Sequence, residues 1–533
     1  MKDNGVAPPT ITYDISTTLT SIKFRYRDIA RRLRKLDTSK STGPDGISAT
    51  VLKECADELA PSLSKIFSFS FNAGCLPEEW KYSNVCPIHK KGSKSAPENY
   101  RPISLLCIAG KVMEGIINTQ LRSHLLQNDL IHDHQFGFRP KCSALDALSL
   151  ATQKWEDALD KGKEIRVVSL DISRAFDKVW HPGLIAKLKA AGIGGNLLSW
   201  LISFLSGRSQ RVVVEGESSS SLSIGAGVPQ GRILGPTLFL LFINDLQEIF
   251  KNKVVMFADD TTLYSVVDSK KEREAVSVSL NEDLRRVEEW AKQWFVTFNA
   301  NKTQGLVISR CRDNNSHPPL FFLGSQVQDV DSIKFLGLTI EGKLSWSNHV
   351  ASLSKKAGRR TGLLKKASQV LPQSLLLQYY KQSIRSIMEQ YCPIWNGAPK
   401  RDLHFLDSIQ KKCFRVCGVS NKDLGKMRLH PLSHRRDVAG LSTFYKIQMG
   451  IAPPALQDIN PPTFVSRKPT RLDGNLSSGG VVVPFSRTSH HQMSYIPSFS
   501  RKWNSLPANL IDRRNVVNLN SFRKKANSYL MSV

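Results

Sequence analysis

Two stretches of strand-like sequence that carry aspartates constrain this chain more than any other feature. Residues 166–172 (RVVSLDI) have the apolar pattern of a buried strand and carry Asp171 near their end. Residues 254–267 (VVMFADDTTLYSVV) have the pattern of a hairpin, with Ala258, Asp259 and Asp260 between two short strands. Turns favour aspartate for local reasons, so each carboxylate alone is weak evidence of function. Together they predict three carboxylates held at the ends of adjacent strands.

The charge of the whole chain indicates what such a site would act on. The 533 residues include 74 Lys+Arg and 46 Asp+Glu, a net charge of +28 (74 − 46). A phosphate backbone is the expected partner of so basic a globular chain. Mg²⁺ takes oxygen ligands, typically one or two carboxylates plus substrate phosphates, and two ions about 3.5–4 Å apart can stabilise both oxygens of a phosphoryl displacement. The sequence therefore predicts a nucleic-acid polymerase or nuclease.

Composition excludes several other classes of protein. Hydrophobic residues make up 41% of the chain, enough for a large core, and the length suggests about three or four domains. No apolar run approaches the roughly 20 residues that span a bilayer, so no membrane partner is expected. The nine cysteines include no C-x-x-C pair, which predicts a reducing, intracellular compartment.

Periodicity predicts the remaining elements. The strand that carries Asp171 is expected to run into a helix at Ala175, and a second helix is expected over 184–205. Further predictions are strands at 211–214, 221–224, 306–309 and 333–340, and helices at 236–249 and 276–294. Residues 350–440 hold 18 Lys+Arg and 5 Asp+Glu, so this helical part has a net charge of +13.

Several motifs of the chain resemble those of reverse transcriptases. SLDISRAFDKVWH (169–181), GVPQGRILGP (227–236) and FADD (257–260) are similar to the three central palm motifs of that family. KSTGPDGI (40–47), NYRPISLL (99–106) and QFGFRPKCSALDAL (135–148) resemble fingers elements of non-LTR retrotransposons, and IKFLGLTI (333–340) resembles the strand between palm and thumb. WNSLP (503–507) looks like the C-terminal part of jockey, CR1 and RTE-like elements.

The resemblance implies a role for each matching residue. Asp171, Asp259 and Asp260 would form the carboxylate site for two Mg²⁺ ions, with Mn²⁺ able to substitute, and Ile172 would lend its carbonyl. Phe176 would be a steric gate that rejects a 2′-hydroxyl. Lys302 would be the acid that protonates pyrophosphate. The residues implied to contact the nucleotide or its triphosphate are Gln230, Gly231, Lys90, Lys91 and Arg101.

The match departs from the family pattern at Arg232, where a small residue, often Ser, is usual. A guanidinium there would either clash with the nucleotide or grip phosphate or template, and this leaves the activity of the copy open. The sequence shows no block like the endonuclease usual in the family and no acidic set like that of RNase H.

Cys413, Cys417, His430 and His434 follow a zinc-finger spacing. We expect no zinc there, because Asn421 occupies the usual aromatic core position and Pro431 interrupts the helix that would present both histidines.

The resemblance implies an α+β right-hand polymerase with fingers, a ferredoxin-like palm sheet and a mainly helical thumb. The expected divisions are a basic linker (1–35), fingers (36–165), palm (166–330), palm–thumb strand and thumb (331–460), and a linker with a C-terminal unit (461–533). The expected reaction is RNA-templated addition of dNTPs to the 3′-hydroxyl of a DNA primer or target. We expect the protein to be synthesised in the cytoplasm and to act in the nucleus. Two alternatives stay open: a group II intron-type or retron-type reverse transcriptase, and a catalytically impaired RNA-binding remnant.

Overall fold

The computed structural model describes residues 5–90, 92–229, 231–311, 317–420, 422–464, 479–511 and 518–532. It is a mixed α/β structure. The helices are α1 (Tyr26–Leu33), α2 (Ala49–Glu54), α3 (Ala56–Asn72), α4 (Glu78–Lys81), α5 (Ile108–Gln127), α6 (Ala144–Asp160), α7 (His181–Ala190), α8 (Gly195–Leu205), α9 (Gly235–Ile243), α10 (Arg273–Gln293), α11 (Ser347–Ala367), α12 (Gln373–Tyr379), α13 (Ser386–Glu389), α14 (Cys392–Trp395), α15 (Lys400–Val416), α16 (Leu432–Gln448), α17 (Ser489–Gln492), α18 (Tyr495–Asn504), α19 (Ala508–Ile511) and α20 (Leu519–Ser532).

The strands are β1 (Tyr82–His89), β2 (Tyr100–Leu105), β3 (Glu164–Leu170), β4 (Arg208–Val214), β5 (Glu217–Ser218), β6 (Leu222–Ile224), β7 (Lys253–Phe257), β8 (Asp260–Val267), β9 (Gln304–Ile308), β10 (Phe321–Phe322), β11 (Ser325–Gln326), β12 (Gln328–Asp329), β13 (Ser332–Phe335) and β14 (Leu338–Glu341). No described helix combines the length and the apolar character that a bilayer crossing requires.

The chain divides into two compact units. The first unit comprises Met1–His132, Asp171–Phe250 and Asp283–Asn299. Its sheet has the order β2-β1-β4-β5, with β6 also paired to β4. Strands β1 and β2 are antiparallel, whereas β1 and β4 are parallel.

The N-terminal segment of the first unit, for which the sequence predicts a linker, is folded. Phe24 packs edge-on against Phe67 and Phe71 of α3, with ring centroids 5.9 and 5.5 Å apart. Helix α1 buries Ile29 and Leu33 completely. The expectation was wrong for these residues because a few apolar side chains among many basic ones are enough to hold a short amphipathic helix.

The second unit comprises Asp133–Leu170, Lys251–Glu282 and Ala300–Val533. Its main sheet has the order β12-β9-β3-β8-β7. Strand β3 lies antiparallel to β8, with Leu170 opposite Thr261 at the end of the pairing. Strands β7 and β8 form the predicted hairpin, in which Phe257 pairs with Asp260.

The C-terminal part of the chain shares one hydrophobic core with this sheet. The core includes Val167 of β3, Trp155 of α6, Leu353 of α11, Phe499 of α18 and Phe522 of α20. The described residues after 478 are therefore an integral part of the second unit.

Three sequence predictions of local structure were wrong. Residues 173–178 form turns, and the next helix begins at His181, not at Ala175. The helix predicted over 184–205 is two helices, α7 and α8, because Gly192 between them and Gly195 at the start of α8 adopt positive φ angles. The strand predicted over 333–340 is the hairpin β13–β14, which turns at Gly337 (φ +89°).

Candidate active site

The hairpin that carries Asp259 and Asp260 ends in a two-residue turn of Ala258 and Asp259. Val254, Val255 and Met256 are buried and fix the β7 side of the hairpin, while Asp259 is half-buried. Ala258 has a φ of +56°. Positive φ at the first central residue is a requirement of the tight turns that match strand twist, a position that normally favours glycine. The carboxylates are therefore presented on a short, strained turn at the end of a buried hairpin.

A second segment of the same unit supports this turn. The side-chain Oε1 of Gln135 accepts hydrogen bonds from the backbone N–H of Ala258 at 2.8 Å and of Gly137 at 2.9 Å. The backbone N–H of Phe136 donates to Met256 O at 2.9 Å. A Cβ on Gly137 would overlap the backbone of Ala258. Gln135 is thus a positioning residue for the turn. Sequence reasoning missed this role, although Gln135 begins the matching motif QFGFRP.

Asp171 follows Leu170 directly in the chain and belongs to the first unit. Its backbone carbonyl accepts a hydrogen bond from Asn299 N–H at 2.8 Å. Ile172 forms a bridge with Phe298, and Ser173 N–H donates to Thr297 O at 2.8 Å. Residues 297–299 therefore hold the backbone around Asp171 in an extended conformation.

The turn after Asp171 is joined to the GVPQG segment. Val228 N–H donates to Phe176 O at 2.7 Å, and Gly227 N–H donates to Val179 O at 2.8 Å. Gly227 has a φ of +87°, and a Cβ on it would lie 2.6 Å from Asp177 O. The half-buried ring of Phe176 stacks on Phe239 of α9, with centroids 4.5 Å apart. The predicted gate residue is therefore held by backbone bonds as well as by its ring.

The other predicted nucleotide contacts lie on or beside β1 and β2. Gly231 has a φ of +94°, and a Cβ on it would lie 3.0 Å from Ser104 O in β2. Arg101 is exposed on β2 opposite Ile88. Lys90 is exposed, and its backbone N–H donates to Asn99 O at 2.7 Å. Lys91 and Gln230 lie outside the described residues.

Lys302 lies in the second unit. It is exposed and ends the short 3₁₀ turn Ala300–Lys302, just before β9.

Arg232 is not exposed at the surface of the first unit. Its side chain is buried and donates to Glu114 Oε1 and to Trp80 O, each at 2.6 Å. The sequence-based alternatives, a clash with the nucleotide or a grip on phosphate or template, both require an accessible guanidinium and are not supported.

The cysteine and histidine residues with finger-like spacing have other contacts. Cys413 is buried in α15 with its Sγ 3.3 Å from Thr361 Oγ1, and His434 Nε2 lies 2.9 Å from Asn527 Oδ1. Asn421 is outside the described residues. Across the part of the chain that the structure describes, no three His, Cys, Asp or Glu side chains are grouped in a way that could hold a metal ion.

The second unit thus presents an aspartate-bearing hairpin on a mixed sheet, and in the first unit the turn after Asp171 is hydrogen-bonded to Gly227 and Val228. Residues 88–340 match the family model described as reverse transcriptase (RNA-dependent DNA polymerase). This part of the chain is thus similar to reverse transcriptases, as its motifs predict.

Its relatives are proteins of mobile elements. It is 29% identical over 402 residues to the RNA-directed DNA polymerase from mobile element jockey of Drosophila melanogaster, which covers 73% of this chain and 43% of the relative. It is 29% identical over 399 residues to the probable RNA-directed DNA polymerase from transposon X-element of the same species, with 73% and 43% covered. The jockey protein of Drosophila funebris is 30% identical over 336 residues, with 61% and 36% covered. The chain thus spans less than half the length of these relatives.

Proposed function

We propose that the chain is an RNA-directed DNA polymerase that adds dNTPs to a primer 3′-hydroxyl on an RNA template and releases pyrophosphate. The observation that carries this proposal is the Ala258–Asp259 turn at the end of the β7–β8 hairpin. Leu170 and Thr261 are opposite each other at the end of the β3–β8 pairing. In the sequence Asp171 directly follows Leu170 and Asp260 directly precedes Thr261, and the motif resemblance assigns all three carboxylates to one function.

The donor set suits a hard cation, because carboxylate oxygens are the ligands that Mg²⁺ prefers. Asp171 and Asp259 would hold two Mg²⁺ ions, with Asp260 and the Ile172 carbonyl contributing further oxygens. When bound, the ions would supply positive charge to the attacking and leaving oxygens of the displacement.

The remaining roles belong to the chain's own side chains. Phe176 excludes a 2′-hydroxyl by shape, because its ring is held by the stack on Phe239. Exposed Lys90 and Arg101, together with Lys91, bind the triphosphate, and Gln230 and Gly231 lie against the nucleotide and the template base. Lys302 donates a proton to the pyrophosphate. Positioning and charge stabilisation supply most of the catalysis in phosphoryl transfer.

We further propose the right-hand division of the chain. The β3–β7–β8–β9 sheet serves as the palm, residues before it supply the fingers, and the basic helices from α11 onward serve as the thumb. The primer is a DNA target, and the work is done in the nucleus. The relatives are proteins of a mobile element and a transposon, which favours this proposal over an intron or retron enzyme.

Primer extension on a defined RNA template tests the proposal. We expect Mg²⁺-dependent extension whose products follow the template when single dNTPs are left out, and loss of extension with EDTA. If the folded protein binds RNA but extends no primer with Mg²⁺ or Mn²⁺, the chain is instead a catalytically impaired RNA-binding remnant.

A further inference from the structure

A buried ion pair holds the segment that follows Gly231. Arg232 and Glu114 are 5% and 1% exposed, and Arg232 Nη1 lies 2.6 Å from Glu114 Oε1. The second branch of the guanidinium donates to Trp80 O at 2.6 Å. A planar guanidinium can make both contacts at once, which a lysine ammonium on a flexible stem cannot reproduce. Arg232 therefore connects its loop to α5 and α4 within the first unit.

The same carboxylate also holds the next two residues. Glu114 Oε2 accepts hydrogen bonds from the backbone N–H of Ile233 at 3.1 Å and of Leu234 at 3.4 Å. These N–H groups lie at the start of α9, where a negative charge is favourable. One side chain thus fixes three consecutive residues directly after Gly231, whose own backbone is packed against Ser104 O.

A second buried guanidinium makes the cluster asymmetric. Arg208 is 1% exposed, and its guanidinium lies 5.5 Å from the Phe204 ring, which Arg232 also faces at 5.0 Å. Burial, and then the charge of Arg232, lowers the pKa of Arg208 to about 9. Glu114 forms an ion pair with Arg232, and its negative charge also opposes the lowering of the Arg208 pKa. Loss of the Glu114 charge weakens all three hydrogen bonds that its carboxylate accepts, whereas loss of Arg232 leaves those from Ile233 and Leu234 in place.

We propose that Glu114 and Arg232 are a positioning pair that sets the backbone of Gly231 against the incoming dNTP. The inference rests on the proposed polymerase function, since it concerns the nucleotide that this function binds. On this inference the fold of this chain requires Arg232. Replacing it with the small residue that is usual in the family motif would weaken the nucleotide site.

The test measures dNTP binding without catalysis. Each variant is bound to an RNA template and a DNA primer that ends in a dideoxynucleotide, and the Kd of the next complementary dNTP is measured with Mg²⁺. We expect Arg232→Met to raise this Kd about 10- to 100-fold, the scale on which small misplacements act, and Glu114→Gln to raise it more. Arg232→Lys keeps the charge but not the planar guanidinium with its two donor branches, so its dNTP Kd should be intermediate. The Kd for template–primer should not change.

Lys187→Met is the matched control. Lys187 forms another buried ion pair of the first unit, with Asp245, and has no proposed role in catalysis. The Lys187→Met substitution should lower the melting temperature and leave the dNTP Kd unchanged. Should Glu114→Gln fail to fold, the two Arg232 variants carry the test.

The outcomes separate the inference from the proposed function. Arg232→Met with a lowered melting temperature but the wild-type dNTP Kd would refute the positioning role alone. Wild-type protein that binds template–primer but no complementary dNTP would refute the proposed function, and the inference with it.

Discussion

Ala258 occupies a backbone conformation that costs about 1–3 kcal/mol for a residue with a side chain. The structure retains it because Gln135 accepts the Ala258 N–H and because Gly137 lets the two backbones approach closely. The turn therefore presents Asp259 from a fixed backbone, which suits the cation-binding role proposed for it.

Asp259→Asn should abolish nucleotide addition and leave RNA affinity near wild type. The amide keeps the shape of the side chain but loses the charge proposed to hold a cation, while the basic surface proposed to bind RNA is unchanged. Primer extension and RNA binding measured on the same preparation check this. Asp268→Asn is the matched control, since Asp268 is exposed just past the other end of β8 and pairs with Lys163. Extension by Asp259→Asn above a few per cent of wild type contradicts the assignment.

Phe176→Val should relax the discrimination between deoxynucleotides and ribonucleotides. Valine removes the far edge of a ring that stacks on Phe239 at 4.5 Å, and the space admits a 2′-hydroxyl. The ratio of kcat/KM for dNTP over rNTP measures this. The cavity should also cost about 1–3 kcal/mol of stability.

Phe242→Val controls for that loss of stability, because Phe242 is buried in α9 and is not implied in sugar recognition. An unchanged ratio for Phe176→Val, with a melting temperature lowered as in the control, would show that Phe176 only packs.

The sequence could predict that the three aspartates lie at strand ends, but not which residues hold the backbone beside them. Asp171, Asp259 and Asp260 end apolar strands, and this pattern is local. Gln135 is 123 residues from Ala258, and Glu114 is 118 residues from Arg232. Contacts across such separations leave no local pattern in the sequence. Arg232 could therefore be recognised only as a departure from the family motif, and its partner Glu114 could not be found.

At the scale of elements, long periodic helices were predictable and their interruptions were not. The helix predicted over 276–294 is α10, and its prediction is confirmed. The helix predicted over 184–205 breaks because Gly192, with a φ of +75°, can leave the helical conformation without steric cost. The spacing of apolar residues alone does not show at which glycine a helix ends.

Gly440→Ala should strongly destabilise the second unit. Gly440 lies in α16, and a Cβ there would overlap the ring of Phe499 in α18. Phe499 is fully buried, so neither helix can move aside without opening the core. We expect a loss of roughly 1–3 kcal/mol, measured by denaturant unfolding.

Gly358→Ala is the control for this substitution. Gly358 is exposed in α11 with nothing within 4 Å of an added Cβ, so the change should stabilise by about 0.4–1 kcal/mol. Equal effects of the two substitutions would contradict the packing of α18 on α16.

Glu164→Gln should remove a pH dependence from the stability of the second unit. Burial alone would raise the pKa of Glu164, but hydrogen bonds from Arg273 and Ser309 and the charge of Arg273 bring it to about 2 from an ordinary 4.5. His317 Nε2 also lies 3.2 Å from it. A depressed folded pKa gives stability that is complete above pH 4.5 and is lost as the pH falls from 4.5 towards 2.

The free energy of unfolding, measured across that window, should therefore fall more steeply for wild type than for Glu164→Gln. Glu98→Gln, a change at an exposed glutamate, should leave the wild-type slope. Parallel profiles for wild type and Glu164→Gln would contradict the pairing with Arg273.

At the scale of the whole molecule, the basic C-terminal half cannot be separated from the second unit. Leu353 of α11 and Phe522 of α20 belong to the same core as Val167 of β3. A deletion of 350–533 would remove the basic residues and also disrupt the hydrophobic core of the second unit. Point substitutions on the exposed face of α11 are therefore the informative test of whether RNA binds there.

RNA binding should weaken steeply with salt, and the exposed face of α11 should carry a large share of that dependence. On a single strand, log K falls with log[salt] by about 0.7 for each phosphate neutralised. Lys355, Arg359 and Lys366 are exposed on α11, in the stretch 350–440 with its net charge of +13 (18 − 5). Changing all three to Gln should reduce the slope by up to about 2 if each meets a phosphate.

A second triple variant separates local contact from net charge. Arg523, Lys524 and Lys525 are exposed on α20, and changing them to Gln removes the same charge from the same unit. If RNA follows the α11 face, the α20 variant keeps the wild-type slope, because long-range attraction is screened beyond about 10 Å at 0.1 M salt. Equal reductions in both variants would mean that the charge of the whole molecule, and not the α11 face, sets RNA affinity.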